Sequence, residues 1–164
     1  MKVLLLGASG YMGKPLFAKL KDSNNFTKIY TICRSDYSLN KENHFVCDIK
    51  NKNLFFSILK KINPNVIIDL INFSKEDSIR IVEAYESNIL PSLKNYVVAS
   101  SFFVYQYFDL NIFNEKKLDS SLLSKRPHSN YTVRKIQMEC ELYKSELFNI
   151  SSIVRLPYVF SYDD

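Results

Sequence analysis

Only three glycines occur in the 164 residues, tryptophan is absent, cysteines number three and histidines two, and no apolar run approaches membrane length. Each scarcity excludes something. Cys33, Cys47 and Cys140 are odd in number, widely spaced and set inside apolar periodic segments, so a reducing compartment is expected and a disulfide framework is not. With His44 and His128 as the sole histidines and no Cys-x-x-Cys pair, there is no recognisable ligand set and no metal is expected. The apolar start breaks at Gly7, short of the roughly 7 to 15 residues of a secretory signal, and nothing reaches the ~18 apolar residues of a membrane span. A cytoplasmic protein without a membrane partner is expected. The 22 Lys and Arg exceed the 17 Asp and Glu to leave +5, spread along the chain. A dedicated nucleic-acid binder gathers its cations, so nucleic acid is not an expected partner, whereas an anionic ligand is compatible with the charge.

What the chain does have is apolar residues, 46% of the total, enough at this length for one core, so residues 1–164 are read as a single domain. Short apolar runs alternate with amphipathic stretches throughout, the pattern of βαβ units around a mostly parallel sheet. Six strands are expected: Lys2 to Leu6, Lys28 to Cys33, His44 to Cys47, Asn65 to Ile71, Asn95 to Ser100 and Ser152 to Leu156. Apolar residues at spacings of three and four predict helices over Tyr11 to Lys21, Asn53 to Ile62, Glu76 to Asn88 and Tyr131 to Leu147, with Ile79, Ile81, Val82 and Tyr85 facing the core in the third. Pro64, Pro91 and Pro127 fall between elements, where a missing N–H costs little. Gln106 to Asn130 reads as a long loop. The fold class is α/β, a doubly wound parallel sheet flanked by helices.

The whole glycine supply lies in Gly7-Ala8-Ser9-Gly10-Tyr11-Met12-Gly13, between an apolar strand and an amphipathic helix. In that context the first Gly permits a tight turn, the second lets backbone approach a pyrophosphate, and the third lets helix pack on sheet. The helix N-terminus adds free N–H groups and partial positive charge. All seven residues are therefore candidate dinucleotide-binding residues. An acid at the end of the second strand suits a 2′-OH and a cation suits a 2′-phosphate. Here Cys33-Arg34-Ser35 stands, with the first acid at Asp36, so the cofactor is NAD or NADP with the lean to NADP, Arg34 reading the phosphate.

Tyr131 and Lys135 are four residues apart, on one face of a helix. Bringing a phenol from its pKa near 10 to about 7 takes ~4 kcal/mol, which a nearby ammonium and a cationic nicotinamide could supply, and such a Tyr can exchange a proton with an alcohol or carbonyl. Ser100 and Ser101 end the fifth strand at the carboxyl edge, where open α/β sheets place ligands.

These residues resemble the NAD(P)-dependent epimerase/dehydratase group of extended and atypical short-chain dehydrogenases/reductases, over essentially the whole chain. Gly7 to Gly13 is similar to its cofactor loop, Cys47-Asp48-Ile49 to the third-strand acid segment at the adenine, and Ser100 to Tyr105 to its Ser-Ser-x-x-Val-Tyr run. Tyr131, Lys135 and Glu139 resemble its Tyr-x-x-x-Lys-x-x-x-Glu helix, and Arg155-Leu156-Pro157 its sixth-strand segment beside the nicotinamide. The resemblance implies Ser101, Tyr131 and Lys135 as catalytic residues and Asp48, Ile49, Leu70 and Pro157 as further cofactor contacts. It implies hydride transfer at a hydroxyl or carbonyl of a small-molecule substrate, with a nucleotide sugar as one class.

Departures qualify the reading. Leu70-Ile71-Asn72-Phe73 is bulkier than the small residues usual after the fourth strand and is expected to narrow the groove. Tyr158 stands where nucleotide-sugar enzymes often carry Asn, which argues against that substrate class, and Ser161 takes a position commonly Gly. The family also continues beyond the sixth strand into a segment that builds most of the substrate pocket. The expectation is a cofactor domain without its substrate half, whose exposed apolar flank favours a homo-oligomer. The alternatives are a non-catalytic dinucleotide-binding module, a sensor or RNA-associated protein, and an inactive truncated form.

Overall fold

Leu4, Leu5 and Leu6 are all fully buried, which requires a strand covered on both faces. The computed structural model, which describes residues 1–36, 38–107 and 130–159, shows how that cover is built. Its elements run β1 (Lys2–Leu6), α1 (Gly13–Asp22), β2 (Lys28–Cys33), β3 (His44–Val46), α2 (Lys52–Ile62), β4 (Val66–Asp69), α3 (Lys75–Glu86), β5 (Asn95–Ser101), α4 (Asn130–Tyr143) and β6 (Ser151–Leu156). Short 3₁₀ segments occupy Ser38–Asn43 (broken by a kink at Asn40), Phe102–Tyr107 and Glu146–Ile150. The strands form one sheet in the order β3-β2-β1-β4-β5-β6, every pair parallel. Because strands alternate their side chains, Leu4 and Leu6 join Phe55, Ile58, Ile81, Ala84, Met138 and Leu142 of α2, α3 and α4 on one face. Leu5 meets Phe17 of α1 and Cys33 on the other. Each such fully buried Leu contributes about 1.5–3 kcal/mol relative to exposure.

The doubly wound α/β class is the one the sequence predicts, and the differences are local. β4 ends at Asp69, not Ile71, because the Asp69 carboxylate turns the chain by accepting a hydrogen bond from the Ile71 N–H (2.9 Å). The last helix stops at Tyr143, not Leu147, where the Ser145 hydroxyl donates to the Leu142 carbonyl (2.8 Å) and a 3₁₀ turn follows. The first starts at Gly13, not Tyr11, because Gly10 to Met12 belong to the preceding turn, in which the Gly10 N–H donates to the Gly7 carbonyl (3.1 Å). Ile79, expected in the core, is exposed, whereas Ile81 is buried. Of the long loop read over Gln106 to Asn130, residues 108–129 lie outside the described residues, as do Pro127, His128 and Ser161. Among the described residues no helix is long and apolar enough to cross a membrane.

Candidate active site

The strand order reverses between β1 and β4, and at such a switch point the loops leaving the carboxyl ends part to make a crevice. The loop leaving β1 is the glycine turn. Gly7 has φ +84°, and a Cβ there would also lie 2.5 Å from Ile71 Cγ2, so both conformation and space demand glycine. A Cβ on Gly13 would sit 2.1 Å from the Gly7 carbonyl oxygen and 2.7 Å from Ala8 backbone atoms. That position keeps the start of α1 pressed on the turn. Among the described residues a Cβ at Gly10 would meet the Gly7 oxygen at 3.3 Å, a tight contact on one side, and its other sides open on the larger cleft. Met12, the N-cap of α1, gives no side-chain cap, and the first turn holds no acid, so nothing negative competes there with an anion.

Two adjoining cavities follow the carboxyl edge of the sheet. The larger, about 960 Å³, is lined by Gly7, Ser9, Gly10, Arg34, Asp48 and Ile49 among others. The smaller, about 250 Å³, is lined by Met12, Leu70, Ser101, Tyr131, Lys135 and Pro157. The candidate cofactor and catalytic residues thus come together in an order that runs from Arg34 to Tyr131. Ala8, Tyr11 and Gly13 line neither cavity; Ala8 is fully buried against α1 and Tyr11 is exposed. Asp48 Oδ1 accepts from the Lys50 N–H (2.9 Å), which holds the turn after β3 against the cleft.

Lys135 is buried, and its ammonium donates to the Asn72 carbonyl (2.7 Å) and the Ala99 carbonyl (2.8 Å). It also lies 4.6 Å from the centroid of the Phe73 ring. Burial pushes its pKa down to about 8, against the pull of Asp69, Glu139 and Asp77. Beneath it the buried Tyr96 hydroxyl donates to Asp69 Oδ2 (2.8 Å), and the Asn72 amide donates to Tyr96 (3.1 Å) and Ser78 (3.2 Å). Burial raises the pKa of both Asp69 and Tyr96, and for Tyr96 the Asp69 charge adds to the effect. Ser101 is buried and its Oγ accepts from the Phe103 N–H (3.3 Å), while Tyr131 is nearly half exposed at the rim. No hydrogen bond joins Tyr131 to Ser101 or Lys135 among the described residues.

Glu139, one turn beyond Lys135, is fully buried, and its carboxylate binds β5 and β6 to α4. It accepts from Arg155 Nη2 (2.7 Å), Tyr143 (2.8 Å) and the Ser100 hydroxyl. Both serines line the smaller cavity, but the Ser100 hydroxyl is engaged by the Glu139 carboxylate, which leaves Ser101 as the strand-end hydroxyl not tied to it. Burial alone would lower the Arg155 pKa, but the Glu139 hydrogen bonds and charge hold it above its ordinary value.

The sequence reading did not single out Arg80, Arg134 and Gln137 in the larger cleft or Phe103 in the smaller. Arg134 and Gln137 are three apart on α4, a helical spacing that could have exposed them as a second face beside Tyr131 and Lys135. Cys33 and Cys47, which open the Cys33-Arg34-Ser35 and Cys47-Asp48-Ile49 segments but are not themselves cofactor contacts in the sequence reading, also line the larger cleft. Among the described residues no group of three or more His, Cys, Asp or Glu could hold a metal.

Solved structures share this architecture. An L-threonine dehydrogenase from Clostridium difficile aligns with TM-score 0.71 at 23% identity, over 98% of this chain and 54% of its own. A wide-type short-chain dehydrogenase/reductase from Veillonella parvula, in complex with NADP, aligns with TM-score 0.67 at 20% identity, over 97% of this chain and 70% of its own. A dTDP-glucose 4,6-dehydratase from Bacillus anthracis, in complex with NAD, aligns with TM-score 0.64 at 16% identity, over 94% and 54% respectively. This chain therefore spans between about half and 70% of the length of these proteins. At such identities the likeness establishes the fold, and no curated protein gives a significant sequence match. The family is established by sequence: the profile of the NAD dependent epimerase/dehydratase family matches residues 3–161. With the glycine turn at the β1–β4 switch point and the match running through β6, the chain belongs to the NAD dependent epimerase/dehydratase family.

Proposed function

We propose that the chain binds an NAD(P) dinucleotide, NADP in preference to NAD, along the carboxyl edge of its sheet, and that its family chemistry is hydride exchange with a hydroxyl or carbonyl of a small substrate. One observation carries this reading. The glycine turn and the Ser101, Tyr131 and Lys135 group, far apart in sequence, lie on adjoining cavities at one sheet edge. The open space at Gly10 and the uncapped start of α1 fit a diphosphate. Gly7, Ser9, Gly10 and Met12 line its cradle in the turn that Ala8, Tyr11 and Gly13 complete, Asp48 and Ile49 meet the adenosine, Arg34 the 2′-phosphate, and Leu70 and Pro157 wall the far end. The dinucleotide, when bound, supplies the hydride acceptor or donor.

The remaining chemistry belongs to side chains. Tyr131 gives a proton to the reacting oxygen or takes one from it, Ser101 donates a hydrogen bond to that oxygen, and the Lys135 charge favours the phenolate. Tyr158 and Phe103, in edge contact at 5.1 Å, wall the smaller cavity with aromatic surface. This favours a substrate held by stacking over a nucleotide sugar held by an amide. Three free, buried cysteines suit a cytoplasmic setting.

Gly10→Val tests the reading, since a larger side chain there would enter the groove, its Cβ in tight contact with the fold at the Gly7 oxygen (3.3 Å), so folding is checked by thermal melting. Calorimetry should show dinucleotide affinity lowered about tenfold or more; equal affinity in a folded variant would remove the phosphate assignment. Loss of nicotinamide reduction in Tyr131→Phe, with binding retained, would identify the proton donor. Binding with no Tyr131-dependent turnover would favour the second reading, a nucleotide-binding module, which the ring over Lys135 supports.

A further inference from the structure

We propose that Phe73 divides the groove, so that the chain accepts the adenosine diphosphate part of a dinucleotide and excludes the nicotinamide riboside part while the ring lies over Lys135. The inference rests on the dinucleotide reading above. Phe73 is the large side chain that lines both cavities. An ammonium has three donors, and two of Lys135's already meet the Asn72 and Ala99 carbonyls. The Phe73 ring, its centroid 4.6 Å from Nζ, stands against the same ammonium. A ribose hydroxyl can reach that ammonium only after the ring has left.

The backbone beneath the ring is held from both sides. The Phe73 N–H donates to Asp77 Oδ2 (3.1 Å), within a capping arrangement in which Ser74 and Asp77 exchange hydrogen bonds at the start of α3. Asn72 is buried, with its amide on Ser78 and Tyr96. The main chain therefore cannot carry the ring aside, and only side-chain rotation can. Rotation has room, since Phe73 is 48% exposed. Size agrees: the larger cleft, about 960 Å³, falls in the range of small-molecule sites and the smaller, about 250 Å³, falls below it. The bulk of Phe73 was readable in the sequence, but its position over Lys135 was not.

Calorimetric titration of the chain with ADP, 2′-phospho-ADP, NAD and NADP tests this. In the wild type each ADP form should bind within about threefold of its dinucleotide, and Phe73→Ala should tighten the dinucleotide about tenfold while leaving the ADP form unchanged. Phe73→Ser, checked by thermal melting, serves as a second variant, and the wild-type comparison needs none. A wild-type dinucleotide preference of about tenfold or more, or a dinucleotide affinity that Phe73→Ala leaves unchanged or weakens, would overturn the division while leaving the cofactor reading intact. Failure of all four ligands to bind a folded chain would overturn the cofactor reading and this inference with it.

Discussion

Replacing Glu139 by Gln should cost the fold heavily although the shape of the side chain barely changes. The carboxylate is fully buried and answers donors from three directions: Arg155 on β6, Tyr143 on α4 and Ser100 on β5. Arg155 Nε also lies 3.2 Å from both carboxylate oxygens. In Glu139→Gln one oxygen becomes an NH₂ that meets the Arg155 guanidinium or must turn a hydroxyl of Ser100 or Tyr143 into an acceptor, and Arg155, its side chain 8% exposed, loses the carboxylate charge it pairs with. Breaking one side of a buried pair costs about 3–5 kcal/mol. That is at least about a fifth of the roughly 5–15 kcal/mol that stabilises a typical domain. At about 2–4 °C per kcal/mol for a chain of this size, melting should fall by roughly 10 °C. Urea unfolding should show the midpoint moving with the slope unchanged. In Glu139→Gln/Arg155→Met the stranded charge is gone, so the double variant should be more stable than the sum of the two single losses by about 2 kcal/mol or more. A loss below about 1 kcal/mol in Glu139→Gln would refute the argument, because the pair would then behave as a solvated one.

Other expectations concern the turn, the buried lysine and the cofactor end. Gly13→Ala should destabilise the chain severely, since its Cβ would lie 2.1 Å from the Gly7 carbonyl oxygen; an unchanged melting temperature would show that α1 can lift off the turn. Lys135 has a folded pKa near 8, below the ordinary 10.5, so between those values the unfolded chain holds a proton that the folded chain has released. Stability from this residue should therefore rise as pH climbs through 8 toward 10, at about 1.4 kcal/mol per pH unit at most. Lys135→Met should flatten that slope in urea midpoints taken across the window, and an equal slope in both proteins would dismiss the shift. Arg34→Asp should move the ratio of NADP to NAD dissociation constants by about tenfold toward NAD; an unmoved ratio would mean that Arg34 does not read the 2′-phosphate.

Local backbone physics made much of this protein legible in one dimension. A run such as Val3-Leu4-Leu5-Leu6 can satisfy its burial only in the middle of a covered parallel sheet, and three glycines at spacings of three can serve only a turn that packs on itself. The strand positions, the glycine turn and the Tyr131–Lys135 helix face follow from such short-range rules, whereas the strand order β3-β2-β1-β4-β5-β6 is set by packing. Tertiary structure alone decided what each side chain meets. Lys135 reaches the Asn72 carbonyl 63 residues away, Tyr96 reaches Asp69 across 27, and Arg155 reaches Glu139 across 16. The two adjacent serines both line the smaller cavity, but the Ser100 hydroxyl is bonded to the Glu139 carboxylate of α4 while the Ser101 Oγ accepts from the Phe103 N–H. Phe73 is the sharpest case: its size is a property of the residue, but its place above an ammonium depends on α3, α4 and the β4 loop converging at one edge. Hydrogen bonds and ring contacts across such separations are set by packing, and no periodicity in the chain encodes them.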